Sequence, residues 1–202
     1  MVCDRRLALA ALAVLPALSV ARADDSAAAV AAVKQFQDGQ SGIIGKLGEM
    51  SVKQRYDALR PAIVATFDLP DMARMVYGAG WDALTDARKA EWSEAFADYV
   101  AASYAAHLEG FNGKGFERDD KTVARDGALV VTTRIVLDKG PPMTVDYVVR
   151  QTPGGWKIGD LLAEGSISEL AQWRRSLRGL NQDGFDASVK ALRERTQNYL
   201  TP

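Results

Sequence analysis

The spacing of apolar residues changes abruptly near the middle of this chain, so neither helices nor strands alone can account for it. Between Thr85 and Gly110, apolar residues recur every three to four positions, which predicts one long amphipathic helix. After Gly115 the period falls to two, which predicts β-strands. Helices before and after a sheet indicate an α+β fold. The apolar face of the long helix comprises Trp92, Phe96, Tyr99, Val100, Ser103, Tyr104 and Leu108.

The strands are predicted to form an antiparallel sheet of about four strands, packed against several helices. Short turns at Asp138-Lys-Gly-Pro141 and Pro153-Gly-Gly155 leave no room for the crossover that parallel neighbours need. Alternation of apolar and polar residues is clearest over residues 143–150. The predicted strands cover residues 129–137, 143–150 and 156–162, with a fourth at 121–125.

Further helices are predicted on both sides of the sheet. Four glycines, from Gly39 to Gly48, are expected to break or loosen the chain after the first helix. Ser51 is expected to cap the second helix, and Ser166 and Glu169 have the spacing of a capping box before the penultimate one. The helices are predicted at residues 26–37, 51–67, 68–77, 167–179 and 184–199.

The amino-terminal segment has the form of a secretory signal peptide. A positively charged start precedes an apolar run over residues 7–20, and Ala21-Arg22-Ala23 places small residues where a signal peptidase cleaves. The run is shorter than the roughly 20 residues of a membrane-spanning helix. We therefore expect residues 1–23 to be removed, Cys3 among them. Residues 24–202 are then expected to form one cysteine-free domain in the periplasm.

The charge balance argues against a nucleic-acid-binding protein. The chain holds 25 basic and 26 acidic residues, and the signal segment removes three arginines and one aspartate, which leaves 22 against 25, or −3. Nucleic-acid binding needs a basic face that displaces counterions. Some basic residues near the carboxyl end could meet an acidic partner or anionic head groups, although a solvated helix face is the simpler account. They are Arg174, Arg175, Arg178, Lys190, Arg193 and Arg195.

Few residues are candidates for catalysis or metal binding. His107 is the only histidine, and no cysteine or second histidine stands at the spacing of a zinc site. We therefore expect a surface or boundary histidine, no metal and no other cofactor. Asp146 and Asp160, on neighbouring predicted strands, could serve as general bases in a hydratase or isomerase. The competing interpretation is that Asp146 faces solvent and Asp160 holds a neighbouring turn.

Several short motifs follow one another along the chain. They are Phe67-Asp68, Met72-Ala-Arg74, Gly78-Ala-Gly-Trp81, Leu84-Thr85, Phe96, Ser103-Tyr104, Val145-Asp-Tyr-Val148, Gly155-Trp-Lys-Ile158, Asp160-Leu161 and Gly165-Ser-Ile-Ser168. This ordered set resembles the MlaC family of periplasmic phospholipid carriers, also called toluene-tolerance proteins. Several details look closer to the hopanoid-associated HpnM branch: Phe67-Asp-Leu-Pro70, Ser103-Tyr104 followed by Phe111-Asn-Gly113, and Gly165-Ser-Ile-Ser-Glu-Leu170.

The resemblance implies a lipid carrier rather than an enzyme. It implies an apolar cavity between sheet and helices, where acyl chains lie while the head group stays at the mouth. It also implies transport of a phospholipid or a hopanoid between inner and outer membranes, with docking to an inner-membrane transporter and an outer-membrane acceptor. We expect the carrier to be a monomer. Two alternatives stay open: a small pocket enzyme that uses Asp146 or Asp160, and a ligand-free adaptor of a transporter complex.

The side chains expected to line this cavity are apolar and adaptable. Methionine adjusts to irregular ligands, and tyrosine can place its hydroxyl at a wet mouth. A two-chain lipid faces a barrier of some 20 kcal/mol to enter water alone, since each methylene contributes about 0.8 kcal/mol. The expected lining is Met72, Met75, Val76, Trp81, Phe96, Tyr99, Val100, Tyr104, Val145, Tyr147, Val149 and Trp156.

Overall fold

The computed structural model describes residues 23–108 and 113–201. The predicted signal peptide, apart from its last residue Ala23, lies outside this range and stays a prediction. The predicted helix end at Gly110 also lies outside it. None of the helices in the described part of the chain is both long enough and apolar enough to cross a membrane.

The fold is α+β, as the change of period predicts. The helices are α1 (Ala23–Ile44), α2 (Val52–Thr66), α3 (Leu69–Tyr77), α4 (Asp86–His107), α5 (Glu169–Ser176) and α6 (Phe185–Leu200). The strands are β1 (Gly113–Arg125), β2 (Ala128–Leu137), β3 (Met143–Thr152), β4 (Gly155–Ala163) and β5 (Ile167–Ser168). They form one antiparallel sheet in the order β1-β2-β3-β4-β5. The sheet therefore has five strands rather than about four, because the segment before α5 adds a two-residue strand.

One face of the sheet is covered by helices. Val131 pairs with Tyr147, and Leu129 with Val149, so that their side chains share the buried face. Helix α1 lies across this face and contacts β1, β2, β3 and β4. Helix α4 packs against α2, α3 and α6. Helix α5 contacts both β4 and α3. The apolar cavity expected between sheet and helices is not shown by the described residues and stays a prediction.

Side-chain caps set where three helices begin. Ser51 caps α2, as predicted, and forms a reciprocal capping box with Gln54. Thr85 accepts a hydrogen bond from the backbone amide of Arg88 at the start of α4. The predicted cap of α5 is wrong: Ser168, not Ser166, accepts the amide of Ala171, at 2.9 Å. The cause is β5, whose pairing with β4 keeps Ile167 and Ser168 extended, so that α5 can begin only at Glu169.

Helix α1 continues through two glycines that were expected to end it. Gly39 and Gly42 both lie inside α1, which ends at Ile44. A Cβ atom at Gly39 would lie 2.7 Å from the Cβ of Ala62 in α2, closer than atoms can pack. Glycine costs about 1 kcal/mol of helix propensity relative to alanine. At Gly39 this cost is offset because the absent side chain lets the two helices approach.

Gly39→Ala is therefore expected to destabilise the protein by about 1–2 kcal/mol, because overpacking outweighs the gain in helix propensity. Gly42→Ala is a matched control in the same helix, since a Cβ there would meet nothing within 4 Å. The control is expected to be unchanged or more stable by up to about 1 kcal/mol. Urea unfolding measures both, and equal stability of the two variants would contradict the close helix contact.

Candidate functional site

The residues expected to line a pocket gather in one apolar core. All twelve belong to the buried core or pack directly against it. Met72, Phe96, Val100 and Val149 are fully buried. Met75, Tyr104 and Trp156 are half-buried at its border. The sequence pattern thus identified residues that lie together, and whether they contact a lipid stays a prediction.

A row of aromatic rings runs through this core from the sheet to α5. Phe36 of α1 lies 6.2 Å from Tyr147 of β3 and 5.5 Å from Tyr104 of α4, measured between ring centroids. Tyr104 lies 6.1 Å from Trp173 of α5, and Trp173 lies 5.9 Å from Phe96. All these pairs meet edge to face, the favoured arrangement.

Two members of the row, Phe36 and Trp173, are absent from the expected lining. Phe36 follows the helical spacing of Val30 and Val33, so its side of α1 could be read from the sequence. Nothing in that spacing shows that this side faces Tyr104 and Tyr147. Trp173 belongs to the apolar side of α5, together with Leu170 and Leu177, a pattern that would have found it.

A network of buried hydrogen bonds links α1 to the sheet. The Nε2 atom of Gln37 donates to Thr133 at 3.2 Å and to the Tyr147 hydroxyl at 3.4 Å. Arg118 donates to the Gln37 Oε1 atom at 3.1 Å. Burial raises the pKa of Tyr147 to about 12, although the Gln37 hydrogen bond lowers it. The hydroxyl therefore stays protonated at neutral pH, and the amide of Gln37 is satisfied although it is fully buried.

An open cleft of about 630 Å³ separates the end of α3 from α5. Its floor includes Val76, Trp92 and Leu177, which are also members of the apolar core. Asn181 donates to the carbonyls of Tyr77 at 2.9 Å and Ala79 at 3.1 Å, which fixes the turn after α5 against the end of α3. A smaller cleft of about 320 Å³ adjoins it and is lined by Arg74, Met75, Gly78, Ala79, Trp81, Asp82 and Arg174. We refer to both together as the α3–α5 cleft.

The rim of the α3–α5 cleft is strongly basic. Arg174, Arg175 and Arg178 are exposed, and within residues 23–108 and 113–201 their guanidinium groups have no hydrogen bond or ion pair. Arg74, by contrast, is paired with Asp71 at 2.7 Å. These three arginines, which have no partner in the described part of the chain, and the apolar floor below them form an amphipathic site suited to an anionic group with an apolar tail.

Neither candidate carboxylate lies in the α3–α5 cleft. Asp146 accepts a hydrogen bond from Thr132 at 2.7 Å across the β2–β3 pair. Asp160 accepts from the backbone amides of Leu161 and Leu170, at 2.8 and 3.0 Å, and from the Ser168 hydroxyl at 2.6 Å. Asp160 therefore holds the turn into α5, as the competing interpretation states.

His107 and the acidic residues do not form a metal site in the described part of the chain. No three of its histidine, cysteine and carboxylate side chains come together in a way that could hold a metal ion. His107 lies exposed at the end of α4, where its Nδ1 atom is 3.3 Å from the Ser103 hydroxyl and its ring packs against Tyr199. Its position matches the expected boundary histidine.

Comparison with known families decides the assignment. The family model of the MlaC protein matches residues 45–194, from before α2 into α6. The chain belongs to the MlaC family. It is also similar to the phospholipid-binding protein from Ralstonia solanacearum, solved in complex with a phospholipid. The two chains are 21% identical, with a TM-score of 0.67, over 85% of this chain and 98% of that one. No curated protein matches the chain.

Membership of the MlaC family points to a binding or transport protein rather than an enzyme. The similarity to the Ralstonia solanacearum protein shows that the two chains share a fold. Within that fold, the α3–α5 cleft and the aromatic row are two features that a ligand could use.

Proposed function

We propose that this MlaC-family protein is a periplasmic lipid carrier that moves a phospholipid between the inner and outer membranes. It would receive the lipid from an inner-membrane transporter and deliver it to an outer-membrane acceptor, or work in the reverse direction. A hopanoid, the cargo implied by likeness to the HpnM branch, is the second candidate ligand. The proposal is supported by the phospholipid bound to the structurally similar Ralstonia solanacearum protein.

The observation that carries the proposal is the amphipathic α3–α5 cleft. Its floor residues Val76, Trp92 and Leu177 are continuous with the apolar core, and its rim carries unpaired arginines. A lipid has the matching arrangement, with an anionic phosphate at the boundary between water and two apolar tails. Arginine binds phosphate oxygens with two parallel hydrogen bonds, so the rim would hold the head group.

The tails would lie between the sheet and the helices, against the twelve residues of the expected lining. Met72 and Met75 can adjust to tails of different length because methionine is unbranched and flexible. Entry requires α3, α4 and α5 to move away from the sheet, and the hydrophobic gain from burying the tails would offset that movement. Each methylene contributes about 0.8 kcal/mol.

The first test is the lipid content of the protein itself. The chain is expressed with its amino-terminal segment, purified from the periplasm without detergent, and extracted with organic solvent for mass spectrometry. We expect about one phospholipid per molecule, and a hopanoid mass would instead support the HpnM-type cargo. A clean extract that stays clean after incubation with liposomes would overturn the carrier proposal and favour a ligand-free adaptor.

A further inference from the structure

We propose that Tyr104 and Trp173 are a pair of hydrogen-bond donors that hold the ester carbonyl oxygens of the carried lipid. This inference rests on the proposed function and narrows the ligand to ester-linked lipids with two acyl chains. The two rings lie 6.1 Å apart in the aromatic row, at an interplanar angle of 72°. The two rings are therefore neighbours in the core, and a lipid backbone, which carries two neighbouring ester groups, would meet both rings together.

Trp173 buries an indole N–H group that has no acceptor. Its side chain is 3% exposed, and its Nε1 atom has no hydrogen-bond partner among the described residues. Trp92, which is also buried, has the usual acceptor for such a group, because its Nε1 atom donates to the carbonyl of Ala73 at 3.2 Å. A buried donor without a partner costs about 1–3 kcal/mol. An acceptor that arrives with the ligand would remove this cost.

Tyr104 supplies a second donor beside the first. Its hydroxyl makes no hydrogen bond with the described residues, although Tyr147, Tyr56 and Tyr99 all use theirs. Burial raises the pKa of Tyr104 well above its usual value, and the negative charges of Glu169 and Asp160 raise it further. The hydroxyl is therefore protonated at every physiological pH and available to donate.

Helix α5 places the Trp173 donor at the depth expected for an ester group. Its exposed side carries Arg174 and Arg175, and its buried side carries Leu170 and Trp173; the exposed Arg178 follows in the turn after α5. Trp173 and Arg174 are consecutive, so the phosphate-binding rim and the indole donor lie on two sides of the same helical turn. The ester carbonyls of a phospholipid likewise lie between its phosphate and its tails.

A comparison of ester-linked and ether-linked lipids tests the donors. The probes are a diacyl phosphatidylglycerol and its dialkyl ether analogue, which has the same head group and chain length but no carbonyl. Each is offered in vesicles to delipidated protein, and the bound lipid is measured by mass spectrometry. We expect the unaltered protein to prefer the ester at least about fivefold, because the ether has no carbonyl for either donor and leaves the buried Trp173 N–H without an acceptor.

Variants of Tyr104 and Trp173 test whether these two donors cause the preference for the ester-linked lipid. Tyr104→Phe and Trp173→Phe each remove one donor and keep an aromatic ring, so each is expected to reduce the preference to about half or less. Tyr104→Phe is also expected to fold as stably as the unaltered protein, since it removes a hydroxyl without a partner. Tyr56→Phe is the control, because its hydroxyl donates to Asp98 at 2.9 Å, outside the aromatic row. The control should retain the full preference.

The outcomes separate this inference from the carrier proposal. Binding of both lipids without a preference, or an undiminished preference in both donor variants, would overturn the donor pair and leave lipid carriage standing. Binding of neither lipid would overturn both. A preference that falls in Tyr56→Phe as much as in Tyr104→Phe would show a general effect of hydroxyl loss and would also overturn the inference.

Discussion

Replacing Arg174, Arg175 and Arg178 together by glutamine is expected to lower the amount of bound phospholipid at least about tenfold. These arginines rim the α3–α5 cleft and have no protein partner within the described residues, so their removal breaks no ion pair of the fold. One charge-assisted hydrogen bond to a phosphate is worth about 1.5–3 kcal/mol. Losing a single such bond already accounts for a tenfold change in affinity. Lipid extraction and mass spectrometry after incubation with vesicles measure the effect.

A control variant must remove the same charge elsewhere. Lys121, Arg125 and Lys139 are exposed on β1 and on the turn between β2 and β3, and none of them lines the cleft. Their triple glutamine variant changes the net charge equally and is expected to load lipid normally. An equal loss in both variants would mean that overall charge attracts the protein to the vesicle. Normal loading in the arginine variant would show that the cleft does not hold the head group.

Phe36→Ala is expected to cost about 3–5 kcal/mol of stability, a large share of the 5–15 kcal/mol typical of a whole domain. Phe36 is fully buried, and its ring meets Phe67 at 4.8 Å as well as Tyr104 and Tyr147. Truncation would leave a void among rings that are fixed from α1, α4 and β3. Urea unfolding of lipid-free protein measures the cost.

The control for Phe36→Ala is Val64→Ala, because the Val64 side chain is 43% exposed on α2. Its cost should stay within about 0.5 kcal/mol. A cost below about 1 kcal/mol for Phe36→Ala would contradict the packing of the aromatic row. Such a result would indicate that the lipid-free protein keeps an open interior between α1 and the sheet.

The strands that follow clear turn signals could be predicted almost to the residue. β2, β3 and β4 begin and end within two residues of the expected positions, because proline and glycine turns bound them and apolar residues alternate inside them. β1 was predicted only from Lys121, although it begins at Gly113. The first half of β1 carries charged residues, which are common in edge strands. Because of these charges, apolar and polar residues do not alternate clearly there, and the strand cannot be recognised from the sequence.

Tertiary contacts explain the features that the sequence could not show. Gly39 looked like a helix breaker because its contact with Ala62 lies in another helix. Ser166 and Ser168 both have suitable chemistry for a cap, and only the pairing of β5 decides between them. The expected lining residues do share one core. Whether the Trp173 N–H and the Arg174 guanidinium find partners depends on the residues that face α5 in the fold. The spacing of apolar residues in the sequence does not show which residues those are.

The contacts of α1 also determine when this chain can fold. Gln37 bonds to Thr133 and Tyr147, partners 96 and 110 residues further along the chain. The five strands, in contrast, pair with one another in sequence order, so the sheet can assemble from local hairpins, and β4 makes one isolated parallel bridge to Phe67. In a chain that emerges amino terminus first, α1 would have to wait, its apolar side unpaired, until β3 had appeared. The contact of α1 with the sheet is therefore expected to be among the last to form, after the hairpins of the sheet.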